Sequence, residues 1–150
     1  MTGAARDPMV PPADAHHIVL PDGEAFIWLP QPGIAAQKAV GVLSLPMAEA
    51  FGAFYRGLYR PDARVRVFDD YSELTAYTRD AREFTTSFTL QLISSLRALH
   101  ILHSSKHLAL GISSFKHQVG DELVHTYSDR ASFLRSYAQA VDEAAKTGWA

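Results

Sequence analysis

Three histidines lie close together in the second half of the chain. His100, His103 and His107 are separated by three and four residues. On a helix this spacing would place the three imidazoles on one face, where they could bind Zn²⁺ and leave a fourth position open. On a strand, His100 and His103 would point to opposite faces of the sheet. The apolar run at residues 99–102 favours a strand, so these are interpreted as surface or interface histidines and no metal site is predicted.

A cluster of carboxylates follows the predicted third strand. Asp69, Asp70 and Glu73 could transfer protons or hold Mg²⁺. The same residues could cap a helix, because Asp70 and Glu73 have the spacing of a capping box and acidic groups favour a helix N-terminus. Neither GxxxxGK nor GxGxxG occurs in the sequence, so no glycine-rich phosphate loop accompanies the cluster.

Charged residues also mark the predicted start of a long helix, at Arg79, Asp80, Arg82 and Glu83. Arg79 and Glu83 are four residues apart, and such a pair contributes about 0.2–0.5 kcal/mol on an exposed helix. A solvated helix face explains the pattern. The alternative is a recognition patch, since a helix N-terminus favours contacts with partners or anions.

Ser104 would be a nucleophile only if a histidine and a carboxylate converged on it. His107 and His125 are the candidate bases, but Ser104 does not lie in a GxSxG turn. Capping the next helix is the simpler role for this hydroxyl. No enzymatic activity and no cofactor are therefore predicted.

The composition is that of an ordinary globular domain. The chain has 150 residues, 47% of them hydrophobic and 20% charged, with a formal net charge of −2. This balance argues against a nucleic-acid partner, because such proteins usually carry a basic excess. The absence of cysteine excludes disulfides, thiolate nucleophiles and cysteine-ligated metals, and it fits a reducing compartment. The expected location is the cytoplasm.

The N-terminal segment differs in composition from the rest of the chain. Residues 1–14 contain three prolines and several small residues, which predicts a flexible arm before a single domain over residues 15–150. The sequence contains neither a signal-peptide pattern nor an apolar run of 18 residues, so no membrane insertion is expected.

The first half of the domain shows clear turn and helix-start patterns. Asp22-Gly23 separates short apolar runs at residues 17–20 and 25–29, which predicts a β-hairpin. Residues 34–43 fit either a helical turn or a short strand. Ser44 and Pro46 then begin an amphipathic helix, which Pro61 ends.

A strand at residues 64–68 precedes the long helix. That helix begins between Asp70 and Thr78, and its apolar stripe turns Tyr77 and Ala81 inward while Thr78, Arg79, Asp80 and Arg82 face solvent. Further strands are predicted at residues 99–102 and 123–127, each followed by a helix. This alternation predicts an α/β fold with a small mixed sheet, an N-terminal hairpin plus parallel strands, and about four helices.

Three segments carry a family resemblance. They are Val65-Arg66-Val67-Phe68-Asp69-Asp70 with residues 74–82, the stretch 99–111, and the stretch 124–133. In this order they resemble the STAS domain, the fold of bacterial anti-sigma-factor antagonists. The chain is more similar still to the SpoIIAA-like (STAS/SEC14-type) bacterial proteins.

In STAS antagonists a strand leads into Asp-Ser-Ser-Gly, and a partner kinase phosphorylates a serine of that motif at the helix N-terminus. The resemblance places Thr78, Arg79, Asp80 and Ala81 at those four positions. Asp80 stands at a serine position with a permanent negative charge, and Thr78 matches the aspartate of the motif. The phosphorylation switch therefore does not transfer to this chain.

The resemblance implies a non-catalytic regulatory or protein-interaction module in bacterial signalling. A protein partner is expected, and an edge strand leaves homodimer formation open. The alternative is a small-molecule or lipid-binding domain with an apolar pocket between the first helix and the long helix, since SEC14-type relatives bind lipids. The predicted interaction surface consists of Asp70, Thr78, Arg79, Asp80, Arg82 and Ser104.

Overall fold

A single mixed sheet organises the part of the chain that the computed structural model describes, residues 7–60 and 64–147. Its strands are β1 (His16–Leu20), β2 (Gly23–Gln31), β3 (Ile34–Leu43), β4 (Val65–Tyr77), β5 (Leu96–Leu102) and β6 (Val124–Tyr127). They lie in the sheet in chain order. The pairs β1–β2 and β2–β3 are antiparallel, and β3 to β6 pair in parallel. The predicted α/β class and mixed sheet are confirmed.

Four helices pack on the two faces of this sheet within the described residues. They are α1 (Leu45–Leu58), α2 (Arg79–Gln91), α3 (Lys106–Val119) and α4 (Arg130–Thr147). The first three connect parallel strands and cover one face, where the larger hydrophobic core lies. α4 follows the last strand and covers the opposite face with a second core.

The second core includes part of the predicted N-terminal arm. Met9 is 0% exposed and packs in the cluster that contains Phe68 and Phe133. Asp7 accepts a hydrogen bond of 2.6 Å from Arg130 of α4, and their ion pair fixes this segment. Residues 7–14 therefore differ from a free arm, because an apolar anchor and an ion pair attach them to the domain. Residues 1–6 of the predicted arm lie outside the described residues.

The strands in the middle of the sheet are longer than predicted. Residues 34–43, which the sequence left open, form all of β3. β4 continues to Tyr77 because β3 offers it backbone partners as far as Leu43. Asp70 and Glu73 are thus strand residues, and the proposed capping box does not form.

The long helix begins at the latest position that the sequence allowed. Thr78 is the N-cap of α2, and its hydroxyl accepts a hydrogen bond of 3.4 Å from the backbone N–H of Ala81. The helix ends at Gln91, and Leu96 belongs to β5 instead of the helical stripe.

Candidate functional site

A cavity of about 420 Å³ lies between α2 and α3, above β4 and β5. This volume lies in the range of ordinary ligand pockets. The strands supply its floor, and the two helices supply its walls. The lining residues are Asp69, Tyr71, Tyr77, Arg79, Arg82, Glu83, Thr85, Thr86, Ser87, Leu90, Leu99, Ile101, Gly111, Ile112, Ser114, Phe115 and Gln118.

Asp69 is the most unusual group in this cavity. It is 5% exposed, and its Oδ1 atom has no hydrogen-bond partner among the described residues. Burial raises the pKa of Asp69 to about 8, a hydrogen bond with Tyr71 lowers it, and the charge of Asp70 raises it. Near neutral pH this carboxyl group is therefore mostly protonated and can donate as well as accept a hydrogen bond.

A chain of buried side chains holds the cavity floor in place. Tyr55 of α1 donates a hydrogen bond of 2.8 Å to Oε1 of Gln37, whose Nε2 donates one of 2.9 Å to the Tyr71 hydroxyl. Tyr71 in turn bonds to Asp69. This chain fixes one side of the Asp69 carboxyl group and leaves Oδ1 without a partner.

The pocket predicted between α1 and α2 is small. The space there is about 60 Å³ and is lined by aromatic residues that include Phe51 and Phe88. Phe84 and Phe88 stack with ring centroids 6.0 Å apart and lie against Gly52 of α1. The predicted location is therefore wrong for the cavity of about 420 Å³, which lies on the other side of α2.

Arg82 reaches across the top of the cavity from α2 to α3. A Cβ atom on Gly111 would lie 3.0 Å from Nη1 of Arg82, so the guanidinium group rests directly against the glycine. The Nε atom of Arg82 is buried and has no hydrogen-bond partner among the described residues. The neighbouring Glu83 is bonded instead to Arg79, at 3.0 Å. Arg82 was predicted to face solvent, but it is half-buried and lines the cavity.

The start of α2 otherwise has the predicted exposure. Arg79 and Asp80 are exposed, and Thr78 is half-buried. Asp80 Oδ1 accepts hydrogen bonds of 2.6 Å from the Thr78 hydroxyl and 2.9 Å from the Ala81 N–H. The Thr78 bond is the main cause that lowers the pKa of Asp80. These residues cap the helix, and their role in partner contact stays a prediction.

Asp70 does not belong to that surface. It is 1% exposed and accepts hydrogen bonds from Arg130 at 2.9 Å and from the Ser72 hydroxyl at 2.6 Å. Adjacent strand residues point to opposite faces, so Asp70 faces α4 while Asp69 faces the cavity. The prediction of Asp70 as a contact residue is wrong, and the two carboxyl groups do not act at one site.

Ser104 bonds to β4 and not to the residues at the start of α2. It is exposed, and its hydroxyl donates a hydrogen bond of 2.7 Å to the carbonyl oxygen of Ser72 in β4. Ser72 precedes Thr78 by six positions. Ser104 thus fastens the end of β5 to β4, whereas α3 begins two residues later, at Lys106.

The histidines are arranged as a strand requires. His100 is 8% exposed and lies between Phe68 and His125, with ring centroids 4.2 and 4.8 Å away. Its Nδ1 atom bonds to the Tyr127 hydroxyl at 2.9 Å. Burial is the main cause that lowers the pKa of His100 to about 3, and the charges of His125 and Arg66 add to it. In the searched part of the chain, no group of three ligands could hold a metal ion; the His107 side chain lies outside the described residues.

The sequence marked Asp69 within a carboxylate cluster open to proton transfer, Mg²⁺ binding or helix capping, whereas Gln37 and Tyr71 were not predicted as site residues. Strand alternation could have separated Asp69 from Asp70, because the apolar Val65 and Val67 precede Asp69 at intervals of two. The polar contact of Gln37 with Tyr71 has no local pattern, since 34 residues separate them.

Comparisons with known proteins support the fold. No family model matches the sequence, and no curated protein matches it. A solved structure from Shewanella loihica PV-4, described as an uncharacterized protein of the DUF3478 family with a SpoIIAA-like fold, is similar at a TM-score of 0.54 and 14% identity. The match covers 81% of this chain and 90% of that chain. None of the described helices has both the length and the apolar character needed to span a membrane. The chain therefore has a SpoIIAA-like α/β fold.

Proposed function

We propose that this domain is a non-catalytic binding module for a small, mostly apolar molecule held between α2 and α3. One observation carries the proposal: Asp69, buried at the floor of a cavity of about 420 Å³, has a carboxyl oxygen without a hydrogen-bond partner. A buried polar group without a partner costs about 1–3 kcal/mol of stability. A ligand that bonds to this oxygen would recover that cost.

The apolar part of the lining supports binding of an apolar body, beside polar side chains that include Thr85, Ser114 and Gln118. Leu99, Ile101, Ile112 and Phe115 present apolar surface to the cavity, and all four also belong to the larger core. Ligand pockets of this kind combine an apolar lining with a small number of placed polar groups. Asp69 is such a group here, and its protonated form adds no charge.

Native mass spectrometry of freshly purified protein tests this function. We expect a mass adduct on the wild-type chain that denaturation releases. Asp69→Leu should retain the fold and lose most of the adduct, because it removes both hydrogen-bonding oxygens. Asp142→Asn, an exposed carboxylate of α4, is the matched control and should keep the adduct. A wild-type protein without any adduct, which also fails to bind apolar probes, would contradict the proposal.

A second candidate function is a regulatory contact with a protein partner at the start of α2. Arg79 lines the cavity rim, and Asp80 beside it is exposed, so the same helical turn borders both the ligand space and solvent. Bound ligand could thus change the surface offered to a partner in bacterial signalling. Co-purification of a specific partner that Asp80→Lys abolishes and Arg135→Gln preserves would support this role. Unchanged co-purification would contradict it.

The inferred location for either function is the cytoplasm, supported by the absence of cysteine.

We also infer that β1 can pair with a second copy of the chain. β1 is the antiparallel edge strand of the sheet, and its Val19 is 69% exposed. Analytical ultracentrifugation of the wild type and Val19→Lys tests it. A monomeric wild-type protein would contradict it.

A further inference from the structure

Arg82 is a cation in the cavity for which the structure gives no counter-ion. Among the described residues it forms no ion pair, and its Nε atom is buried without a partner. Partly buried guanidinium groups are usually paired with carboxylates, since an unpaired buried charge is costly. The cavity therefore holds a positive charge that an anionic ligand group would pair with.

The acidic residues of the same lining do not meet this requirement. Glu83 is bonded to Arg79 at the rim, at 3.0 Å. Asp69 is enclosed at the floor, where burial keeps its carboxyl group largely protonated near neutral pH. Both acids thus leave Arg82 as the dominant free charge inside the cavity.

The position of Arg82 suits the recognition of an anionic group. Its guanidinium group rests against Gly111, where the absence of a side chain permits the close approach of α2 and α3. A guanidinium group offers a planar set of donors that matches carboxylate and phosphate oxygens. Arg82 thus presents its guanidinium donors to the cavity beside Gly111.

We propose that this cavity takes an amphiphile whose single carboxylate or phosphate group binds Arg82 while its apolar body lies against Ile112 and Phe115. This inference rests on the proposed binding function and adds the chemical class of the ligand. The polar oxygen of Asp69 then meets a hydroxyl, carbonyl or other neutral polar atom farther along the ligand.

Three probes with an eight-carbon alkyl chain separate these ideas: nonanoate, octyl phosphate and octanol. Isothermal titration calorimetry at neutral pH would measure the binding of each to the wild type, Arg82→Gln and Arg82→Lys. Arg135→Gln, an exposed arginine on α4, is the matched control. Circular dichroism and thermal unfolding would confirm that each variant folds.

We expect the wild type to bind at least one of the two anions about tenfold to a hundredfold more tightly than octanol, as a charged hydrogen bond implies. Arg82→Gln should remove this preference but still bind octanol, and Arg82→Lys should restore part of it. Arg135→Gln should behave as the wild type. A preference for nonanoate over octyl phosphate would identify a carboxylate ligand, and the reverse order a phosphate.

Three other results would contradict these proposals. Equal binding of the three probes by the wild type, or an anion preference that survives in Arg82→Gln, would refute the anionic class while leaving the binding function in place. Failure of all three probes to bind, together with the absence of any co-purified adduct, would refute the binding function itself.

Discussion

Replacement of Asp69 by asparagine should stabilise the protein, and the gain should grow with pH. In the unfolded chain Asp69 ionises near its ordinary pKa of 3.8, whereas burial holds the folded pKa at about 8. Stability from this residue is thus fully present below about pH 4 and is lost as the pH rises through about 8. Within that window each rise of one pH unit lowers the free energy of unfolding of the wild type by about 1.4 kcal/mol. At neutral pH the wild type has therefore lost up to about 4 kcal/mol of stability that Asp69→Asn retains.

Urea denaturation of the wild type and Asp69→Asn between about pH 5 and pH 8 measures this effect. The difference in the free energy of unfolding between the two proteins should rise by about 1.4 kcal/mol per pH unit in favour of asparagine. Asp129→Asn is the control: hydrogen bonds with Ser132 lower the pKa of Asp129, so its difference from the wild type should stay constant over this range. A constant difference for Asp69→Asn as well would mean that Asp69 titrates like a solvated carboxylate, and the argument from its burial would fail.

Three other substitutions test the packing of the second core and of α2 against α3. Met9→Ala should cost about 2–5 kcal/mol in chemical denaturation, because Met9 is 0% exposed in the second core; a change near zero would mean that the arm is free. Burial lowers the pKa of His100 to about 3, whereas in the unfolded chain this residue takes up a proton below about pH 6.5. The free energy of unfolding should therefore fall as the pH is lowered from about 6.5 to about 3. His100→Gln should reduce this acid sensitivity in urea titrations, and an unchanged pH profile would contradict it. Gly111→Ala should stabilise α3 by up to about 1 kcal/mol in thermal unfolding and weaken anion binding by displacing Arg82, whereas unchanged anion affinity would argue against that contact.

The sequence predicted the parts of the fold that depend on local patterns. The hairpin at Asp22-Gly23, the helix after Ser44 and the strand character of residues 99–102 all follow from short-range chemistry. The length of β4 does not, because its last residues are extended only through pairing with β3. Asp70 and Glu73 therefore resemble a helix cap in the sequence and lie in a strand in the fold.

Individual residues of the candidate site could be predicted from the sequence, but their arrangement could not. Asp69 and Arg82 were both recognised as chemically notable, but 13 positions separate them and their joint position depends on how α2 packs against α3. The apolar spacing of α2 predicted that Arg82 faces solvent, because the main apolar stripe of a helix indicates only the face that packs on the sheet. A neighbouring helix beside α2 adds a second buried face that one stripe of residues does not reveal.

The ion pairs of Arg130 have a consequence for how the chain acquires its structure. Arg130 binds Asp7 and Asp70, so two ion pairs join the segment before β1 and the start of α4 to β4 in the middle of the sheet. The contact between Asp7 and Arg130 closes a loop of 123 residues, so during synthesis it cannot form until the start of α4 has emerged from the ribosome. The face under α1, α2 and α3 can assemble earlier from shorter loops. The face under α4 then closes after the other face. During synthesis Phe68 and Trp28 stay exposed until Phe133 and Tyr137 of α4 pack against them together with Met9.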